Sequence, residues 1–171
     1  MAFSYAYTLG GGDAPVTVDF PITSAVPALG DCFIVASGIA TTKVVGGASG
    51  TANTATVAVS VGGNFLGLAA GGTLAATTSS IYSPSTLTKL ILDPNAVFRI
   101  PWSASATSAT VGSTYEVANT TTTADQTLNP GAKTANKVYF TLVDSDTTAY
   151  GGAPYGYAYV TIPSAFRVIP A

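Results

Sequence analysis

The side chains that could perform chemistry are few in this chain of 171 residues. It contains no histidine, and Cys32 is its only cysteine. Histidine-activated serine or cysteine nucleophiles, histidine-ligated zinc and imidazole proton shuttles are therefore excluded within one chain. Cys32 lies in the apolar segment 31–35, where a thiol behaves as a small buried hydrophobe. A single cysteine cannot form an internal disulfide, so nothing indicates an oxidising compartment.

The carboxylates offer one short motif, Asp144-Ser145-Asp146-Thr147. A loop with this spacing could bind Ca²⁺, but a calcium loop supplies several more oxygens and a later glutamate. A solvated hairpin turn is the favoured interpretation. The only glutamate is Glu116, and the aspartates are scattered, so spacing neither supports nor excludes a carboxylate pair of the glycosidase kind. We expect no enzymatic activity, no metal site and no cofactor.

Aromatic residues are the most distinctive feature that remains. Tyrosines alternate with small or apolar residues near both ends of the chain, so on a strand they project from one face. They either line the core with their hydroxyls reaching water or form an exposed patch typical of interfaces. Stacked aromatic rings, Trp102 among them, could equally form a sugar-binding platform. The residues expected to contact a partner are Phe3, Tyr5, Tyr7, Trp102, Tyr150, Tyr155, Tyr157 and Tyr159.

Charge is scarce: 8% of residues are charged, against about 25% in a typical soluble protein. Six basic residues face eight acidic ones, and no basic stripe exists. This composition excludes a highly charged disordered chain, a coiled coil rich in Glu and Lys, and an electrostatic nucleic-acid binder. A surface of Ala, Thr, Ser and Gly has few charged side chains to prevent sheet edges from pairing with other chains. This composition favours a protein that is packed into an assembly.

The N-terminus has no positive region, since the first basic residue is Lys43. We therefore expect no secretory signal and synthesis in a cytosol. No apolar run approaches the roughly 18 residues that a membrane helix needs. The expected partners include neither nucleic acid nor a membrane.

The elements that must position these side chains are strands, because apolar and polar residues alternate with period two. Turn signals rich in Gly, Pro and Asn separate them, and Asn129-Pro130-Gly131 is one such signal. Only 73–90 could hold a helical turn, which Pro84 limits. Short strands with frequent turns predict an all-β sandwich or barrel with minimal helix. Strands are predicted at 3–9, 16–20, 32–36, 39–45, 56–61, 65–69, 87–92, 97–102, 114–118, 138–143 and 155–160.

A weak change in composition around 72–86 divides the chain into two β units. We predict an N-terminal arm and glycine hinge at 1–12, a small β unit at 13–80 and a β-barrel or sandwich unit at 81–171. The arm is expected to add an edge strand to a neighbouring subunit, because a flexible glycine run follows its alternation. An ordinary first strand of the chain's own sheet is the alternative.

Two regions carry a resemblance to a known family. The first is ALGDCFIVASG at 28–38, followed after one strand by NFLGLA at 64–69. The second runs from NAVFRIP at 95–101 through VGSTYEV at 111–117 to KVYFTLVD at 137–144. These patterns of turns and apolar strands resemble the decoration, or cement, proteins that attach to the heads of tailed phages.

The resemblance implies an all-β structural virion protein, commonly a homotrimer, on the capsid exterior. Its partner would be the major capsid protein, and its role would be to bridge neighbouring subunits of the mature head. No catalysis is needed for that role. The alternatives are a tail-tube or tail-fibre component and a carbohydrate-binding β module.

Overall fold

The computed structural model describes residues 3–11, 15, 17–21, 32–36, 39–46, 56–60, 87–120, 125–132, 134–135 and 137–167. Within these ranges the protein is all-β, as predicted, with one short 3₁₀ helix at Ser164–Phe166. The strands are β1 (Ser4–Thr8), β2 (Thr17–Pro21), β3 (Cys32–Ala36), β4 (Ile39–Lys43), β5 (Thr56–Ser60), β6 (Leu87–Ile91), β7 (Ala96–Pro101), β8 (Thr114–Val117), β9 (Leu128–Ala132), β10 (Phe140–Asp146) and β11 (Tyr157–Thr161).

The strands form two antiparallel sheets. One has six strands in the order β1-β7-β11-β10-β8-β9, and the other has five in the order β2-β6-β5-β3-β4. In the five-stranded sheet the two edge strands, β2 and β4, approach each other with Cα atoms within 8 Å. That sheet is therefore strongly curled.

One hydrophobic core joins residues from both sheets. Cys32, Val44 and Ile91 come from the five-stranded side and pack with the inner face of the six-stranded sheet. Ring contacts add to the burial: the centroids of Phe3 and Phe140 are 4.8 Å apart. Each such apolar side chain contributes about 1.5–3 kcal/mol when fully buried. The core therefore holds the six-stranded sheet in place behind its solvent face.

Gln126 connects the loop before β9 to the five-stranded sheet. Its side chain is fully buried, its Oε1 accepts the backbone N–H of Cys32 at 2.8 Å, and its Nε2 donates to the carbonyl oxygens of Cys32 and Val44 at 3.1 and 2.7 Å. Nearby, a Cβ on Gly46 would lie 2.6 Å from the Val117 carbonyl oxygen, so only glycine allows this approach. The ends of β4 and β8 therefore meet closely.

The prediction of an N-terminal arm is wrong, and the alternative strand is what the structure contains. β1 pairs antiparallel with β7 of its own sheet, and Phe3 is only 1% exposed. The glycines that follow do turn the chain, since Gly10 and Gly11 both have positive φ. Burial of Phe3 against the core, which the alternation did not reveal, holds the strand on its own subunit.

Three local predictions need correction, and one of two alternatives for a fourth segment is confirmed. Asn129-Pro130-Gly131 lies in β9, a strand at the sheet edge, where a proline costs no ladder hydrogen bond. Asp144 and Asp146 lie within β10 rather than in a hairpin turn. The last strand begins at Tyr157, so Tyr155 is not part of it. Leu87–Ile91, predicted both as a strand and within a possible helical turn, is a strand.

The two sheets also divide the chain differently from the predicted units. β6 belongs to the five-stranded sheet, although its residues fall in the predicted unit 81–171, and β1 belongs to the six-stranded sheet. The predicted boundary itself, the strand at 65–69 and the resemblance segment 64–69 lie outside the described residues.

Candidate functional site

The solvent face of the six-stranded sheet carries a cluster of tyrosines with three charged residues. Tyr7 is 40% exposed and Tyr150 49%, whereas Tyr157 is only 8% exposed. We call this cluster the tyrosine surface; its members are Tyr7, Arg99, Asp144, Asp146, Tyr150, Tyr157 and Tyr159.

Strand register places these side chains together. On β11, Tyr157 pairs with Pro101 and with Asp146, while Tyr159 pairs with Arg99 and with Asp144. The residues that alternate with them, Ala158 and Val160, are fully buried in the core. β11 therefore presents alternate residues to the core and to the tyrosine surface, as period two requires.

Two β-bulges change which face the flanking strands present. In β10 the register shifts between Leu142 and Asp144, so Leu142 packs in the core while Asp144 is exposed. In β1 it shifts between Tyr5 and Tyr7, so Tyr5 packs against the core while Tyr7 lies near Tyr159. A bulge inserts one extra residue, which moves the next side chain to the opposite face.

Gly156 sets the entry into β11. Its φ is +80°, and an added Cβ would overlap the Asp146 carbonyl oxygen. Its own carbonyl oxygen accepts the backbone N–H of Trp102 at 3.1 Å. No other residue type fits this conformation and this contact together, so Gly156 fixes the position of Tyr157 beside β10.

A cavity of about 220 Å³ opens on the tyrosine surface, lined by Arg99, Asp146, Tyr150, Tyr157 and Tyr159. The Arg99 guanidinium carbon lies 4.6 Å from the centre of the Tyr157 ring, a cation–π distance. The Tyr150 and Tyr157 rings are 5.8 Å apart with their planes at 40°. Among the described residues, the walls are therefore aromatic, with one cation and one carboxylate.

Asp146 is held as a carboxylate by its own neighbours. Its Oδ1 accepts the backbone N–H of Thr148 at 2.9 Å, and its Oδ2 accepts the hydroxyl of Tyr150 at 2.8 Å. The Thr148 N–H, with smaller contributions from the Thr148 and Tyr150 side chains, lowers the pKa of Asp146 below its ordinary value. The same bond to Asp146 raises the pKa of Tyr150.

Tyr7 occupies the other end of the tyrosine surface. Its ring centroid lies 6.5 Å from that of Tyr159. Partial removal from water raises the pKa of Tyr7, and the neighbouring charge of Asp144 adds to this. Tyr7 is therefore a neutral hydroxyl at physiological pH, able to donate and to accept.

Arg99 differs from Asp146 in lacking polar partners. Within the described part of the chain, its guanidinium has no carboxylate oxygen within 4.0 Å and no hydrogen-bond acceptor. Arginine carries five N–H donors in a planar fork. These donors are open to a ligand or to water on the tyrosine surface.

The structure sorts the predicted partner-contacting residues into three groups. Tyr7, Tyr150, Tyr157 and Tyr159 share the tyrosine surface, as above. Phe3 and Trp102, each 1% exposed, lie in the core, so the prediction that they contact a partner is wrong for this fold. Tyr5 is half-buried against the core, and its predicted partner contact stays a prediction. The Trp102 Nε1–H donates to the Ser145 hydroxyl at 3.1 Å. Tyr155 is 44% exposed but does not line the cavity.

Sequence reasoning missed Arg99 and weighed Asp146 only as a calcium ligand or turn residue. A signal for Arg99 was present: it is the one charged residue in the apolar run Ala96–Pro101. A charge in such a strand must face solvent or a partner, because burying it without one is costly.

No protein-family model, curated protein or solved structure matches the chain. Among the described residues, no Cys, Asp and Glu side chains form a group of three that could hold a metal ion. In that same part of the chain, no helix is long and apolar enough to cross a membrane.

Proposed function

We propose that this protein is a capsid decoration subunit, which binds the outer surface of a mature tailed-phage head and stabilises contacts between major capsid proteins. The proposal gives it a structural role with no catalytic step. The major capsid protein and further copies of this chain are its partners, with a trimer as the working assembly.

The observation that carries the proposal is the tyrosine surface. Tyrosine and arginine are enriched in protein interfaces, where their large rigid side chains contribute much of the binding energy, whereas lysine and glutamate are depleted. Here three tyrosines and Arg99 lie on strands of a sheet that packs against the core, and Tyr150 joins them from the loop between β10 and β11. A rigid surface loses little side-chain entropy on docking, which favours affinity.

Low charge supports the same proposal. With 8% charged residues, a broad contact desolvates few ionised groups. A contact of standard size buries about 1,600 Å² in total. The choice of the capsid as the partner rests on the resemblance to decoration proteins, which is carried by 95–101, 111–117 and 137–144.

The mechanism is mass action on the mature shell. A ligand that binds the expanded lattice, and not its disrupted states, stabilises that lattice in proportion to the logarithm of its free concentration. Three linked protomers that engage adjacent sites convert modest single contacts into strong retention.

Co-sedimentation with undecorated mature heads tests the proposal. We expect saturable binding of a stable trimer, with the heads resisting heat or low salt better once decorated. Tyr7→Ser should weaken binding by about tenfold or more, as truncation of an interface tyrosine does. Val111→Ser is the matched control, because Val111 is 61% exposed and lies outside the tyrosine surface.

A monomer that stays in the supernatant while the heads sediment would overturn the proposal. Binding to isolated tails but not to heads would place the protein in the tail instead. Equal losses from Tyr7→Ser and Val111→Ser would show that the tyrosine surface is not where docking occurs.

A further inference from the structure

The cavity on the tyrosine surface holds an arginine and a carboxylate that do not form an ion pair with each other. Arg99 and Asp146 both line it, yet their charged atoms are more than 4.0 Å apart. Asp146 accepts bonds from Thr148 and Tyr150, and a carboxylate has about four lone-pair sites, so it keeps acceptor capacity. Arg99 keeps all of its donors, as described above.

This arrangement selects an uncharged ligand that carries both donors and acceptors. An anion that reached Arg99 would meet Asp146 in the same cavity and Asp144 beside Tyr159. A cation would meet Arg99. A ligand with several hydroxyl groups can accept from Arg99 and donate to Asp146 at once, without bringing a charge out of water.

The walls and the size of the cavity restrict the class of ligand further. The Tyr150 and Tyr157 rings provide flat apolar surface, and the phenol hydroxyls provide polar edges. A volume of about 220 Å³ is below the roughly 300–1,000 Å³ of sites for drug-sized ligands. The cavity therefore suits one small ring rather than an extended chain.

We propose that this cavity binds a single uncharged pyranose unit of a glycan, with Arg99 donating to its hydroxyls, Asp146 accepting from them and the Tyr150 ring covering one face of the sugar. Sugar binding is a function separate from docking on a phage head. Asp146 is pre-positioned for it by Thr148 and Tyr150, and Arg99 by the Tyr157 ring beneath it.

A titration of the isotope-labelled protein, followed by amide and side-chain NMR shifts, tests this proposal. The probes are the methyl glycosides of glucose, galactose and mannose, together with N-acetylglucosamine, glucuronic acid and glucosamine. We expect saturable shifts at Arg99, Tyr150 and Tyr157 with at least one uncharged sugar. The two charged sugars should bind at least about tenfold more weakly than that sugar.

Variants of the cavity residues test whether the NMR shifts arise from sugar bound in the cavity. Arg99→Met removes the donors while keeping an apolar stem, and should weaken binding about tenfold or more. Tyr150→Phe keeps the ring and removes its bond to Asp146, and should weaken binding a few-fold. Tyr155→Ser is the matched control, since Tyr155 is exposed on the same segment but lies outside the cavity, and should leave affinity unchanged.

Absence of saturable shifts with every uncharged sugar would overturn the proposal, and so would tighter binding of glucuronic acid or equal losses in Arg99→Met and Tyr155→Ser. If Arg99→Met does not fold, as judged by its amide spectrum, Arg99→Lys replaces it, with an intermediate loss expected because the fork geometry is gone.

Repeating the titration on decorated heads separates this proposal from the proposed function. Sugar binding by free protein that fails to bind heads would support the cavity and reject decoration. Head binding by a protein that binds no sugar would support decoration and reject the proposed sugar site. Loss of sugar binding only on heads would support both, with the tyrosine surface covered by the shell.

Discussion

The two faces of the six-stranded sheet are built from the same strands but follow different chemistry. The inner face is apolar and fully packed, with Phe98, Ile100 and Val160 almost inaccessible to water. The outer face carries tyrosines, one arginine and two aspartates. The difference shows that one alternating pattern builds a packed apolar face on one side and an aromatic, charged face on the other, and that β-bulges decide which residues belong to each face.

The β-bulges in β1 and β10 determine which side chains lie on each face of the sheet. Tyr5 and Tyr7 are two residues apart, as are Leu142 and Asp144, and a regular strand would put both members of each pair on one face. The register shifts send Tyr5 and Leu142 inward and Tyr7 and Asp144 outward. The tyrosine surface therefore exists in this form because of two single-residue insertions.

The largest expected effect comes from replacing Gly156, which directly precedes β11 and contacts the end of β10. Gly156→Ala should destabilise the fold by about 3–5 kcal/mol, because positive φ and overlap with the Asp146 carbonyl oxygen act together. The measurement is the free energy of unfolding in denaturant. Gly152→Ala is the control: its φ is +83° but its surroundings are open, so about 1–2 kcal/mol is expected. Equal costs would contradict the role of the contact.

Next in size is the contrast across the bulge of β10. Leu142→Ala removes a buried side chain and should cost about 2–5 kcal/mol. Asp144→Ala, two residues further on, should change stability by no more than about 0.5 kcal/mol, since that carboxylate is exposed. Similar losses from both variants, measured by thermal unfolding, would break the division between the two faces.

The smallest effect concerns pH. The pKa of Asp146 is lowered in the folded protein, so its bonds contribute stability above the unfolded pKa of about 3.9, and this contribution disappears as pH falls through the folded pKa. Tyr150→Phe should therefore destabilise slightly at neutral pH and not at pH values well below about 3.9. Melting temperatures across that range check this, with the exposed Tyr155→Phe as control.

In the Tyr150→Phe variant, the pKa of Asp146 measured by NMR should rise but stay below its ordinary value. The backbone N–H of Thr148, which is the larger cause of the shift, remains in place. A pKa that returns fully to its ordinary value would assign the whole effect to Tyr150 instead.

Period-two alternation was sufficient to predict the fold class and most strands, because strands packed on a core must alternate. It could not predict the bulges, since no glycine or turn residue marks Ala6 or Val143, where the register shifts. The turn residues at 129–131 gave a wrong prediction of a turn, because the same residue types are tolerated in an edge strand. Tyrosines of the candidate site were found from sequence, whereas Arg99 and Asp146 required the register between β7, β10 and β11.

The buried amide of Gln126 has a consequence for how the chain assembles. It bonds to backbone groups 94 and 82 residues away, so these bonds form only after a very long loop has closed. The chain loses the entropy of closing this loop before the hydrogen bonds can stabilise it, and proteins dominated by such distant contacts fold slowly. The chain must therefore be synthesised past residue 126 before the start of β3 and the end of β4 acquire their final hydrogen-bond partners. The five-stranded sheet is thus completed only when the loop before β9 of the six-stranded sheet is present.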